Sequence, residues 1–258
     1  MKDVQNQKGE IQIDINKVGI RNLSIPLIIS DKKNKTQNTI ANINMYVNLP
    51  KKFKGTHMSR FLEIIYRYSK QSISIKDVHL ILNDIKKKFE SNNAHINIYF
   101  KYFLEKQAPV SKKKSLLDYD CAFLCEINNS LNKTKISINV PITTLCPCSK
   151  KISKYGAHNQ RGLVKLIVLI NKFIWIEDLI NLIEKQASCE IYPLLKRPDE
   201  AFVTEKAYMN PNFVEDIVRK IAQKIKKDKR IDGFSIECEN FESIHNHSAY
   251  ANITENLK

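Results

Sequence analysis

Apolar residues fall on every second position at Ala41, Ile43, Met45, Val47 and Leu49, with Asn or Tyr between them. A period of two places such side chains on one face of a pleated strand, so the run predicts a strand with one buried side. Further on the period changes. Val78, Ile81, Leu82, Ile85 and Phe89 recur at three and four residues, which gathers them on one face of a helix. Ser74 and Asp77 stand before that stripe at the spacing of a capping box and predict where the helix starts. Another helical pattern begins near Ser59, and alternation returns at Ile96, Ile98, Phe100 and Tyr102.

The second half repeats the plan. Strands are predicted over 119–127, 136–140 and 164–170. One helix follows from Ile176, Leu179, Ile180 and Ile183, and another from Val214, Ile217, Val218, Ile221 and Ile225. Asn210 suits the N-cap of the latter and Pro211 its first position. Asp232-Gly233 reads as the turn into a last strand through Phe234, Ile236 and Cys238. Strands, two helices, strands, and then much the same again describe an α+β chain of two similar modules. Antiparallel sheets of this kind carry helices on one face and leave the other for something else. The polar segment Pro109-Val-Ser-Lys-Lys-Lys-Ser115 is the best linker, giving a first module at 1–115 and a second at 116–258.

Composition narrows the class. A chain of 258 residues, 43% hydrophobic and 27% charged, fits an ordinary globular protein. Residues 1–8 lack the apolar core of a signal peptide, and the apolar run 163–170 is short and interrupted by Lys165. No membrane span is expected. Six scattered cysteines then point to reduced thiols in a cytoplasm. The net charge of +15 invites polyanions. Its lysines, however, are spread among Asn and Ile throughout the chain, and no helix-turn-helix, zinc-finger or RNA-recognition signature accompanies them. The charge alone decides nothing.

Candidate chemistry lies in four polar segments. The first is Leu145-Cys-Pro-Cys-Ser-Lys-Lys-Ile-Ser-Lys-Tyr-Gly-Ala-His-Asn-Gln-Arg161. Cys146 and Cys148 do not easily bond across one residue, and Pro147 biases Cys146 toward extended backbone, so the two side chains are expected to point apart. They are either packing thiols or a thiolate that works with His158 as a metal or nucleophile site. The others are Lys54-Gly-Thr-His-Met-Ser-Arg60, Arg197-Pro-Asp-Glu200 and Asn240-Phe-Glu-Ser-Ile-His-Asn-His247. Cys, His and Glu together suit a divalent transition metal. Each also has an ordinary reading. A cysteine is often a small core hydrophobe. His158 can serve a turn through hydrogen bonds, and Glu200 can be a loop or helix-start carboxylate. His245 and His247 share a face if they lie in a strand, where simple hydrogen bonding competes with ligation. Glu215 and Arg219 can form an i,i+4 pair.

The four segments, with Val203-Thr-Glu205, Asn210-Pro211 and the extension from Glu239 to Tyr250, resemble the motifs of the type IB GTP cyclohydrolase I family, in the same order. This family is the bacterial and archaeal alternative to the zinc-dependent type IA enzyme. The resemblance runs from about Gly19 to Ala251. It implies a tunnelling fold of two tandem strand-strand-helix-helix-strand-strand modules, a homotetramer, and active sites at subunit interfaces. It also implies conversion of GTP and water to 7,8-dihydroneopterin triphosphate and formate, the first step of pterin and tetrahydrofolate biosynthesis.

By the same resemblance a divalent metal (Zn, Mn or Fe) is held by Cys146, His158, Glu200 and His245. Cys146 is favoured over Cys148 as the catalytic cysteine, although the residues allow either, and His158 or His245 can instead shuttle protons. Glu215 is carried over as the anchor for guanine. His57, Ser59, Arg60, Lys150 and Arg161 are the nearest candidates for the triphosphate, and Glu242 and His247 join the substrate-binding set. The competing expectations are a related tunnelling-fold enzyme acting on another pterin or deazapurine, and a basic nucleic-acid-binding module.

Overall fold

The alternation along the sequence is realised in long strands. A computed structural model describes residues 5, 11–128 and 131–257; apart from Gln5, residues 1–8, read above as lacking a signal-peptide core, lie outside them. The first half runs β1 (Ile15–Asp31), β2 (Lys35–Leu49), α1 (Ser59–Tyr68), β3 (Ser72–Ile73), α2 (Ile75–Phe89) and β4 (Asn93–Gln107). The second runs β5 (Lys114–Asn128), β6 (Leu131–Leu145), α3 (Pro147–Ile152), β7 (Asn159–Ile170), α4 (Ile176–Glu184), β8 (Cys189–Glu190), α5 (Arg197–Met209), α6 (Val214–Ile225), β9 (Ile231–Asn240) and β10 (Ala249–Glu255). The architecture is α+β and dominated by strands.

The chain divides into two compact units, one of residues 1–101 and 122–136, the other of 102–121 and 137–258. In the first unit the strand order is β4-β2-β1-β3, with β1, β2 and β4 antiparallel and the short β3 parallel to β1. Ala41, Ile43, Met45 and Val47 of β2 and Ile96 and Ile98 of β4 are buried with the α2 stripe Val78, Ile81, Leu82 and Ile85. Burying each of the Val, Ile, Leu and Met side chains contributes about 1.5–3 kcal/mol. Asp77 caps α2 as expected, accepting from the Ser74 amide at 2.8 Å and its hydroxyl at 2.6 Å. Phe61 of α1 stacks on Phe89, ring centroids 4.2 Å apart.

In the second unit the order is β10-β9-β7-β6, with β8 on β6. Val164, Leu166 and Val168 of β7 and Phe234, Ile236 and Cys238 of β9 form the buried sheet face under α4 and α6. Two carboxylates of α4 are buried with partners. Tyr102 donates to Glu177 at 2.6 Å, while Tyr119 and Lys106 bind Glu184 at 2.8 and 2.6 Å. Buried charge persists only where it is paired in this way. Among the described residues no helix is long and apolar enough to cross a membrane.

Two expectations about local structure are corrected. Asn210 does not start a helix: it ends α5, its amide bonding to Ala207 O at 3.2 Å, and α6 begins only at Val214 after Phe213. Asp232-Gly233 lies inside β9, and the chain turns earlier, where Ile231 N reaches Asp228 O at 3.1 Å. The proposed linker is the turn between β4 and β5, closed by Ala108 N to Lys113 O at 2.8 Å. Buried Asp199 accepts the Val110 and Ser111 amides there, both at 2.8 Å.

Candidate active site

The Cys-Pro-Cys segment leaves β6 and turns at once into α3, because Pro147 suits the first helical position, where no amide is needed. Cys146 is the N-cap in extended backbone (φ −69°, ψ 118°), and its Sγ accepts from Ser149 N at 3.4 Å. Gly156, at φ +139°, lets the chain double back. A Cβ there would meet nothing within 4 Å, so conformation rather than space demands the glycine. The return brings His158 onto Cys146: Cys146 N donates to His158 O at 3.2 Å, and His158 N donates to Ser149 Oγ at 3.3 Å. Cys146 and His158 are therefore fixed beside each other by backbone. Both are half-buried, while Cys148 on the outer side of α3 is exposed.

Behind His158 lies a polar chain that the sequence reading missed. His158 Nδ1 is 2.9 Å from Gln160 Oε1, and Gln160 Nε2 donates to Thr144 Oγ1 at 2.9 Å. Gln160 is 7% exposed and Thr144 fully buried. Glu242 brings a carboxylate oxygen to 4.0 Å from the same His158 nitrogen. The signal was present: stepping back by two from Val164 puts Gly162 and Gln160 on the buried face, and a polar residue there needs partners. Gly162 allows close approach, since a Cβ would come within 2.6 Å of Asn240 Oδ1.

The remaining candidates sit as follows. Glu200 is exposed in the first turn of α5, and Glu215 is exposed in the first turn of α6. Glu215 lies close to the sheet: burial, then the Glu215 charge, pushes the Cys238 thiol up to about 12. His245 and His247 are not in a strand. They lie exposed in the segment 241–248 between β9 and β10, their rings stacked at 4.9 Å. Lys150 is occupied by the end of α5, donating to Tyr208 O at 2.5 Å and lying 4.3 Å from the Tyr208 ring centre. Arg161 is exposed, its carbonyl taking Phe241 N at 2.9 Å. In the other unit His57 is half-buried and Ser59 exposed at the start of α1. Arg60 reaches Lys88 O at 3.4 Å.

A family model described as "Type I GTP cyclohydrolase folE2" matches residues 1–251. The chain belongs to this family. It is 53% identical to the GTP cyclohydrolase FolE2 of Thermosipho africanus, over 97% of this chain and 96% of that one. It is 51% identical to that of Nitrosococcus oceani, over 98% and 94%. Among solved structures the uricase of Arthrobacter globiformis superposes with a TM-score of 0.55 at 9% identity, covering 94% of both chains. A hyperthermostable mutant of Bacillus sp. TB-90 urate oxidase gives 0.55 at 6%, over 93% and 98%. These likenesses identify the tunnelling fold.

The metal expected for a cyclohydrolase of this kind can be tested against the donors. Among the described residues no three His, Cys, Asp or Glu stand together as a ligand group. Cys146 and His158 are brought together; Glu200 and His245 are not gathered with them. The pair itself fits. A half-buried sulfur beside the return of the chain is a donor zinc accepts, and an imidazole tied through Nδ1 has Nε2 left for ligation.

Proposed function

We propose that this chain is a type IB GTP cyclohydrolase I, converting GTP and water into 7,8-dihydroneopterin triphosphate and formate as the first step of folate biosynthesis. The fixed Cys146–His158 corner in a family member carries the reading. Water adds at carbon 8 of guanine, the imidazole ring opens, formate leaves, and the pyrazine ring closes after the ribose rearranges. Cys146, His158, Glu200 and His245 would hold a divalent cation (Zn, Mn or Fe), whose chemistry would be to lower the pKa of water near neutral pH.

The chain's own residues supply the rest. Glu215 accepts two hydrogen bonds from guanine N1–H and the exocyclic amine, a pair of donors adenine lacks. In the alternative assignment His245, exposed and in a loop, leaves the ligand set and instead takes and returns protons at the opening ring. Arg161, Lys150, His57, Ser59 and Arg60 meet the triphosphate, while Glu242 and His247 line the substrate side. Lys150 must first leave Tyr208.

The working form is a homotetramer in which another copy completes the ligand set, each copy carrying two tandem modules at 1–115 and 116–258. Two observations support assembly: the donors of one chain are not gathered, and strand residues Ile40, Leu116 and Tyr250 leave 60–69% of their surface exposed. The enzyme works in the cytoplasm, with no nucleic-acid or membrane partner. The test incubates metal-reconstituted protein with GTP, then oxidises and dephosphorylates the product; fluorescent neopterin is expected. Its absence, with metal loaded and protein folded, contradicts the proposal.

A further inference from the structure

Gln160 is placed where it can decide what His158 does. It sits on β7, on the buried face, two residues beyond the histidine, and both ends of its amide are engaged. Its nitrogen donates to Thr144 Oγ1, so its oxygen is turned to His158 Nδ1 at 2.9 Å. A carbonyl oxygen only accepts, so the proton of a neutral ring must reside on Nδ1. The Glu242 carboxylate, 4.0 Å from that nitrogen, favours a proton in the same place. The Nε2 lone pair is then free, and only a bare ring nitrogen can bind a cation. The opposite tautomer would point a proton at the metal position.

We infer that Gln160 is a positioning residue that fixes the tautomer and ring plane of His158 so that Nε2 faces the metal. The inference rests on His158 being a metal ligand, as proposed above. A purely structural role for Gln160 would fill a buried position without any bearing on which ring nitrogen is protonated.

The first measurement needs no substitution. In the full chain, metal-free and labelled with 15N-histidine, two-bond proton–nitrogen correlations report each ring's tautomer, and the His158→Ala spectrum assigns the signal. The expected result is protonated Nδ1 and bare Nε2; a proton on Nε2 overturns the inference. The second is Zn2+ affinity by chelator competition. Gln160→Leu should weaken binding by about 10–100-fold, the usual effect of removing an outer partner of a ligating histidine. Gln160→Glu keeps an acceptor toward Nδ1 and should remain within about threefold of wild type. Wild-type affinity in a folded Gln160→Leu variant overturns the inference. Should that variant not fold, the wild-type tautomer decides alone. His158→Ala separates the two levels. If it binds Zn2+ as tightly as wild type, the metal reading fails and this inference with it. If it loses binding while Gln160→Leu does not, only the role of Gln160 is wrong.

Discussion

Two segments of the second unit supply His158, His245 and His247 to the proposed site, and they are built in opposite ways. Residues 145–161 form a closed corner. Cys146, Ser149 and His158 are joined through backbone and side-chain bonds, with Gln160 and Thr144 buried behind them. Residues 241–248 hold His245 and His247 exposed, their rings stacked on each other. The corner is held by bonds of its own chain, whereas the loop presents its imidazoles to solvent. A rigid element sets ligand geometry with little loss on binding, and a loop suits groups that must move with substrate. The thiols divide in a similar way. Cys125 and Cys238 are fully buried and pushed up to about 12, chiefly by burial, so they stay protonated packing groups. Cys146 is the half-buried cysteine at the corner.

The largest effect should come from breaking the corner. Cys146→Ala and His158→Ala are each expected to lower turnover by roughly a thousandfold or more, as loss of a residue acting in a catalytic unit does. Exposed Cys148→Ala should stay within about fivefold. Equal, mild losses for Cys146 and Cys148 would return both to the role of packing thiols.

Next comes the base anchor, which belongs to neither segment. Glu215→Gln should reduce kcat/KM for GTP by about one and a half to three decades with metal content unchanged, because an amide cannot accept both guanine hydrogen bonds. Near-normal kcat/KM would mean that another residue reads the base. The loop should matter less than the corner. His245→Ala is expected to lose about 10–100-fold in kcat. A loss as severe as that of His158→Ala would erase the distinction between the fixed and the adaptable segment.

The smallest effect concerns stability. The Asp199 carboxyl is buried, which by itself would raise its pKa, yet bonds from Ser111, the Lys196 amide and the Val110 amide hold it well below its ordinary 3.8. A depressed carboxylate stabilises the fold fully above its ordinary value, and that contribution fades as pH falls from about 4 toward the lower folded value. Asp199→Asn should therefore lower Tm at pH 7, with the gap to wild type closing below about pH 4. A gap independent of pH would show that the carboxylate charge is not what holds the α5 start and the 108–113 turn together.

Much of this was legible from residue order. Alternation gave β2 and β4, and the three-and-four spacing gave α2, α4 and α6, because those elements bury one continuous apolar face. The elements that escaped lack such a face. α5 buries only Asp199 and Ala207, and α3 buries nothing, so neither carries a stripe. β1 escaped because its register shifts between Ile15 and Val18 and between Ile20 and Leu23. At the second shift Asn22, at φ +57°, donates its amide to Asn44 Oδ1 at 2.8 Å. At the site, Cys146 and His158 were readable because they share one segment. Gln160 was passed over because its role depends on Thr144, a residue of another strand. The condition under which His245 and His247 would share a strand face is not met, because the pairing that resumes β10 begins only at Ala249.

The central claim is that metal held by the Cys146–His158 corner turns GTP over. It is tested most directly by following formate release from GTP with one preparation in two states: stripped by exhaustive chelation with metal absence verified, and reloaded with Zn2+, Mn2+ or Fe2+. The account predicts no formate from the stripped protein, restoration on reloading, and no restoration in His158→Ala. Full turnover by the metal-free protein would contradict it.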